Sequence, residues 1–181
     1  RPGPSTWELG TYPDGQADLP VTGVSWYEAA AYAAFAGKSL PTAFHWNAAA
    51  GFADFTGNFA DILTVSNFSA KGPARVGSYA GLGPSGTYDM AGNAKEWCSS
   101  SSGEKRFILG GGWNEQSYSF TDADAQPPFE RGPAFGLRLV TYVEPPTADA
   151  LGTIVRRARD YTKQQPASDA IFEAFRSLFR Y

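Results

Sequence analysis

The chain has 181 residues, 43% of them hydrophobic and 15% aromatic, which is enough apolar material for a folded core. That length suits about one domain at ~100–200 residues each. Fifteen Lys+Arg against 18 Asp+Glu leave a net charge of −3, so nucleic acid is excluded as a partner for want of a basic footprint. A single cysteine, Cys98, and a single histidine, His45, exclude an intrachain disulfide, a multi-cysteine metal site and a multi-histidine cage. No apolar run reaches the ~18 residues of a membrane span. No signal peptide opens the chain; it begins Arg1-Pro2-Gly3-Pro4-Ser5 without Met, which reads as a cut inside a longer protein.

Residues 1–20 are rich in Pro and Gly, with a turn signal at Tyr12-Pro13-Asp14-Gly15. Ser25-Trp26-Tyr27-Glu28 is a capping box and starts a helix that runs through an Ala-rich stretch to Phe35, with Gly37 as its stop. Thr42 caps a second short helix with Trp46 facing inward, ended by Gly51. Residues 51–95 lack periodicity and recur in Gly, Asn, Asp and Ser. So long an irregular stretch needs a tie, such as an ion or a covering layer. Strands are expected at Arg106–Leu109 and Phe135–Val143, the second from its alternation. After Glu144-Pro145-Pro146 the composition shifts. Leu151, Ile154, Val155 and Ala158 fall at helical spacing. Beyond Pro166 and the cap Ser168, a stripe of Ile171, Phe172, Phe175, Leu178 and Phe179 runs almost to Tyr181. The expected division is a domain over 1–146 and a helical linker or appendage over 147–181.

Four segments in order carry a resemblance. They are Pro20–Ala29, Leu40-Pro41-Thr42 with Trp46, Gly86–Trp97, and Gly110-Gly111-Gly112-Trp113 followed by Phe135-Gly136-Leu137-Arg138-Leu139. Together, over about residues 20–142, they resemble the formylglycine-generating enzyme family, also called the sulfatase-modifying factor family. The resemblance implies an α+β fold, the formylglycine-generating-enzyme-like variant of the C-type lectin fold, with little regular secondary structure. The stretch Arg1–Trp46 and the helical tail also resemble the version fused in large bacterial proteins between a serine/threonine kinase and an α/β-hydrolase. The family's usual opening strand and hairpin is not recognisable in residues 1–19.

The enzymes of this family oxidise a client cysteine to formylglycine with copper and oxygen. The resemblance places their two copper-binding cysteines near Glu115 and Phe120, neither of which can replace a thiolate for copper(I). Copper is therefore not expected. Cys98 reads as an ordinary buried thiol. A neighbouring branch uses non-heme iron held by histidines of a separate helical domain, and His45 is alone. It stands where the family has the Glu of a capping box and reads as a structural substitute. No G-x-S-x-G elbow accompanies Ser99–Ser102, and Asp122 and Asp124 read as a solvated loop.

An ion site is what the resemblance carries over. Asp89, Gly92, Ala94 and Glu96 match a calcium loop of the family, with two carboxylates and two backbone carbonyls as hard oxygen ligands. Asn67 and Phe68 match the start of a second such site. The loop from Trp113 to Arg131 lies on the family's ligand face and supplies Trp113, Asn114, Glu115, Tyr118, Phe120 and Arg131, rich in residue types of binding hot spots. The expected function is a calcium-stabilised, non-catalytic binding or sensing module of a larger multidomain protein. Its ligand would be a protein or a small molecule, and a fused kinase or hydrolase domain is expected. The calcium site points to an extracytoplasmic setting. The rivals are an oxidase of protein cysteine and a C-type-lectin-type protein with a variable display face.

Overall fold

Local capping chemistry sets the first two helices. In α1 (Trp26–Phe35) the Ser25 hydroxyl accepts from the Glu28 amide at 3.4 Å, and Glu28 accepts from the Ser25 amide at 2.9 Å. Gly37, at φ 64°, turns the chain out. Helix α2 (Ala43–Ala49) is capped by Thr42, whose hydroxyl accepts from the His45 amide at 3.2 Å and lies 2.6 Å from His45 Nδ1. His45 thus holds the cap in place of a carboxylate. The amide of Thr42 donates to the Tyr142 hydroxyl at 3.0 Å, a distant residue doing what a capping-box Glu would do locally.

The computed structural model describes residues 3–52, 59–155, 162 and 165–178. Helix α3 (Phe59–Thr64) follows, and the chain then runs irregularly to β1 (Lys95–Ser102). Strand β1 pairs antiparallel with β2 (Lys105–Leu109), and β2 pairs antiparallel with β3 (Ala125–Gln126). Strand β4 (Phe135–Gly136) lies parallel on the other side of β1, giving the order β3-β2-β1-β4. A 3-10 turn at Ser117–Thr121 joins β2 to β3.

Alternation along the central pair makes two cores. Trp97 and Ile108 face Val24, Ala29, Ala33 and Leu40 on the α1 side. Cys98, Phe107 and Leu109 face Trp46, Met90 and Phe120 on the α2 side. Small Ala29 and Ala33 let α1 lie close to the sheet, and the Trp26 indole donates to the Cys98 carbonyl at 2.8 Å. Gly111 is required where it stands: at φ 72° a Cβ would lie 2.7 Å from the Phe68 ring.

Two expectations need correcting. The strand expected over Phe135–Val143 is a ladder of only two residues, plus a bridge from Val140 to Ser39. Strand β1 was not expected, because its second half, Ser99–Ser102, has no apolar alternation. Pairing with β2 and burial of Ser100, whose hydroxyl accepts from the Ala43 amide at 3.0 Å, make it a strand. Beyond residue 146 the chain stays in contact with β1 for a few residues. Helix α4 (Ala148–Leu151) lies on β1, Thr153 bridges Ser101, and the Ile154 amide donates to the Ser101 carbonyl at 2.8 Å. Helix α5 (Asp169–Leu178) follows Ser168 and leaves Ile171, Phe172, Phe175 and Leu178 exposed. Ala158, Phe179 and Tyr181 lie outside the described residues. Among the described residues no helix is long and apolar enough to cross a membrane.

Candidate functional site

The sequence-predicted residues separate into two polar centres on adjacent residues of β1. The first is built on Lys95, whose side chain is 5% exposed. Its Nζ donates to Glu115 Oε1 at 2.9 Å and to Asp124 Oδ2 at 2.6 Å. The other Glu115 oxygen accepts from the Gly112 amide at 2.9 Å, and Gln126 Nε2 donates to both Asp124 oxygens. Burial works against the Lys95 charge, but the two carboxylates outweigh it and hold its pKa above the ordinary value. Burial likewise pushes Asp124 up, and the Lys95 and Gln126 hydrogen bonds bring it below the usual carboxylate range.

Glu115 is therefore half of a structural ion pair. Phe120, the other position of interest, packs in the α2-side core against Trp46 and Phe52, with ring centroids 6.3 and 4.9 Å away. Neither supplies a soft ligand, and the pair does not fit copper(I). Cys98 is fully buried, and burial followed by the Glu96 charge pushes its thiol well above the ordinary value, so it stays protonated and inert.

The remaining members of the expected ligand face differ in exposure and in partners. Asn114 and Tyr118 are exposed. Trp113 is half-buried, its amide donating to the Asn93 carbonyl and its own carbonyl accepting from Ala70. Its indole nitrogen is buried without a partner. Arg131 belongs elsewhere: it donates to Glu28 Oε1 at 2.6 Å and to the Gly3 carbonyl at 3.2 Å, strapping the opening residues to α1. Burial raises the Glu28 pKa, but hydrogen bonds from Ser25 and Gly3, with the Arg131 charge, leave it lowered.

The second centre is Glu96, with its side chain 7% exposed. Arg138 clamps it bidentately, Nε to Oε2 at 2.9 Å and Nη2 to Oε1 at 2.7 Å, and the Trp46 indole donates to Oε2 at 2.7 Å. Arg138 Nη2 also donates to the Tyr88 carbonyl at 2.9 Å. The Arg138 pKa is raised, first by the Glu96 charge and further by Asp89. Asp89 Oδ2 accepts from the Gly77 amide at 2.7 Å. The calcium expectation meets an obstacle at Glu96. Oε2 accepts from both Arg138 and the Trp46 indole and Oε1 from Arg138, so an ion at Glu96 would share the carboxylate with a guanidinium. Arg138 brings a positive charge to the carboxylates of this loop. Its place in the Phe135–Leu139 motif was the available signal.

Asn67 and Phe68 also have protein partners. Asn67 is buried, and its Nδ2 donates to Asn93 Oδ1 at 3.1 Å and to the Gly72 carbonyl at 3.2 Å. Asn93 in turn accepts from the Ala74 amide and donates to its carbonyl. The Phe68 ring packs over Gly92 and Gly111. The paired asparagines tie the irregular stretch to β1 without a sheet ladder.

Comparison with known proteins agrees with this geometry. Residues 4–143 match the sulfatase-modifying factor enzyme 1-like domain. The serine/threonine-protein kinase pkn1 of Chlamydia pneumoniae is 38% identical over 128 residues, 68% of this chain and 18% of that protein. The formylglycine-generating enzyme of Thermomonospora curvata is 31% identical over 143 residues, 67% of this chain and 43% of the enzyme. The chain thus spans less than half of either relative. Among solved structures, Treponema denticola variable protein 1 superposes with a TM-score of 0.59 at 18% identity, covering 77% of this chain and 76% of that one, a likeness of fold. The architecture is the lectin-like α+β fold expected from the resemblance.

Proposed function

This chain belongs to the family of sulfatase-modifying factor enzyme 1-like domains, and on that premise we propose that it is a non-catalytic, ligand-binding or sensing module of a larger multidomain protein. The observation that carries the reading is the fate of the two positions where the family's oxidases need thiolates. Glu115 is closed in a hydrogen-bonded ion pair with Lys95, and Phe120 is core. The remaining thiol, Cys98, is buried and held protonated. A fused kinase is supported by a relative that is a serine/threonine-protein kinase of which the chain spans 18%.

The test is direct. A sulfatase-type cysteine peptide incubated with the protein, oxygen and copper should emerge with its mass unchanged. Loss of the thiol with gain of an aldehyde in the mass spectrum overturns the reading.

In this proposal the Asp89–Glu96 loop is held by Arg138 from within. Melting curves in EGTA and in millimolar calcium should then superimpose. A calcium-dependent rise that disappears in Asp89→Ala would restore the ion to the site.

A further inference from the structure

A cavity of about 690 Å³ lies away from the Trp113–Arg131 side. It opens between the first residues of the chain, α1 and the segment after β4. Trp7, Val21, Val24, Tyr32, Leu137 and Leu139 form apolar walls. This volume falls in the range of ~300–1,000 Å³ found for small-molecule sites, which combine apolar walls with a few convergent polar groups. The wall made by the opening residues is fastened: the Gly3 amide donates to Glu28 Oε1 at 3.0 Å, and Arg131 bridges Glu28 and the Gly3 carbonyl.

At one end the cavity meets Asp89 and Arg138. Arg138 spends Nε and Nη2 on Glu96 and Tyr88, leaving Nη1 without a partner among the described residues. Asp89 spends Oδ2 on the Gly77 amide, leaving Oδ1 in the same position. One end of an apolar cleft therefore offers a cationic donor beside an anionic acceptor. A simple cation would leave Nη1 unmatched, and a simple anion would leave Oδ1 unmatched. A ligand that carries both charges satisfies both, each through a charge-assisted hydrogen bond.

We infer that this cleft binds a zwitterionic small molecule with an apolar body, the chemistry of a free apolar amino acid, its ammonium on Asp89 and its carboxylate on Arg138. The inference rests on the reading of the chain as a binding module and gives that module a site and a ligand class.

The experiment is an NMR titration of the intact chain, following the Trp7 indole and the amides of residues 137–139. The probes are L-phenylalanine, phenethylamine and 3-phenylpropionate. Saturable shifts at these positions are expected, with phenylalanine favoured over either single-charge analogue by about tenfold or more, the value of one hydrogen bond to a charged group. Asp89→Asn should abolish the preference of phenylalanine over phenylpropionate. Asn tolerates the φ of 57° that Asp89 adopts, so the turn is kept. Tyr32→Ala, at an exposed position on the cleft rim, should weaken all three probes while the fold survives. No saturable shift, equal binding of the three probes, or shifts confined to Trp113–Phe120 would overturn the inference. The peptide-oxidation assay is independent of this outcome, so failure of the ligand class and failure of the non-catalytic reading are told apart.

Discussion

Lys95 and Glu96 are neighbours on one strand, both buried, of opposite charge, and they end in unlike settings. Lys95 faces two carboxylates that are 30% and 25% exposed, so water shares in solvating that centre. Glu96 faces one guanidinium, 29% exposed, and the indole of buried Trp46, so its partners are one solvent-sharing group and one dry one. The first arrangement is closed: every strong donor and acceptor at Glu115 is used within it. The second is open at one edge, where Arg138, with no partner for Nη1 among the described residues, lines the same cleft as Asp89. Successive side chains on a strand point to opposite faces, so one dipeptide can seal one face and leave the other able to bind.

The comparison is most easily broken at Glu96. Glu96→Leu leaves Arg138 uncompensated and the Trp46 indole without an acceptor in the core. The expected loss is about 3–5 kcal/mol, the cost of removing one partner of a buried pair. Chemical denaturation measures it. A loss no greater than that of a surface substitution would show that Arg138 rehydrates freely and that the Trp46 indole finds another acceptor.

Lys95→Met should cost less, about 1–3 kcal/mol, because Glu115 and Asp124 can turn toward solvent while Glu115 keeps its bond from Gly112. If Lys95→Met is the more damaging of the two, the expected ranking of the two centres is reversed. Neither substitution is expected to create oxidase activity.

Smaller still is a pH effect confined to the Lys95 centre. Asp124 has a lowered pKa in the fold, so its pairing stabilises above the unfolded value of ~3.9 and is lost as pH falls through the folded value. The parent should lose stability through this acid window, and Asp124→Asn should lose less of it. Lys95, raised in the fold, contributes below ~10.4 and fades as pH rises beyond that. Parallel acid limbs for parent and Asp124→Asn would remove the pair from the account. The smallest change is expected from ending the chain after Val155. This retains the Ile154–Ser101 bond and should leave the melting temperature and both centres unaltered, whereas ending it after Pro146 should lower that temperature.

Much of the molecule is local chemistry and was legible as such. The Ser25 box, the Thr42 cap and the stops at Gly37 and Gly51 are decided by residues within four positions of one another. The motif segments were enough to assign the family and its fold, because four short patterns in order constrain a topology more than their separate propensities do. That positions 115 and 120 carry no thiol was also readable from residue type. What those positions became was not. Glu115 and Lys95 are 20 residues apart, Glu96 and Arg138 42 apart, and Thr42 and Tyr142 100 apart. Nothing in local periodicity announces such pairs. Strand β1 likewise owes its Ser-rich half to its partner strand, since Ser99–Ser102 have no β pattern of their own. The sequence by itself determined the caps, the family and the presence of a single thiol, Cys98. Only the tertiary structure decided which buried charge meets which, because desolvation penalises every unpaired charge and the fold brings the opposite charge from a distant segment.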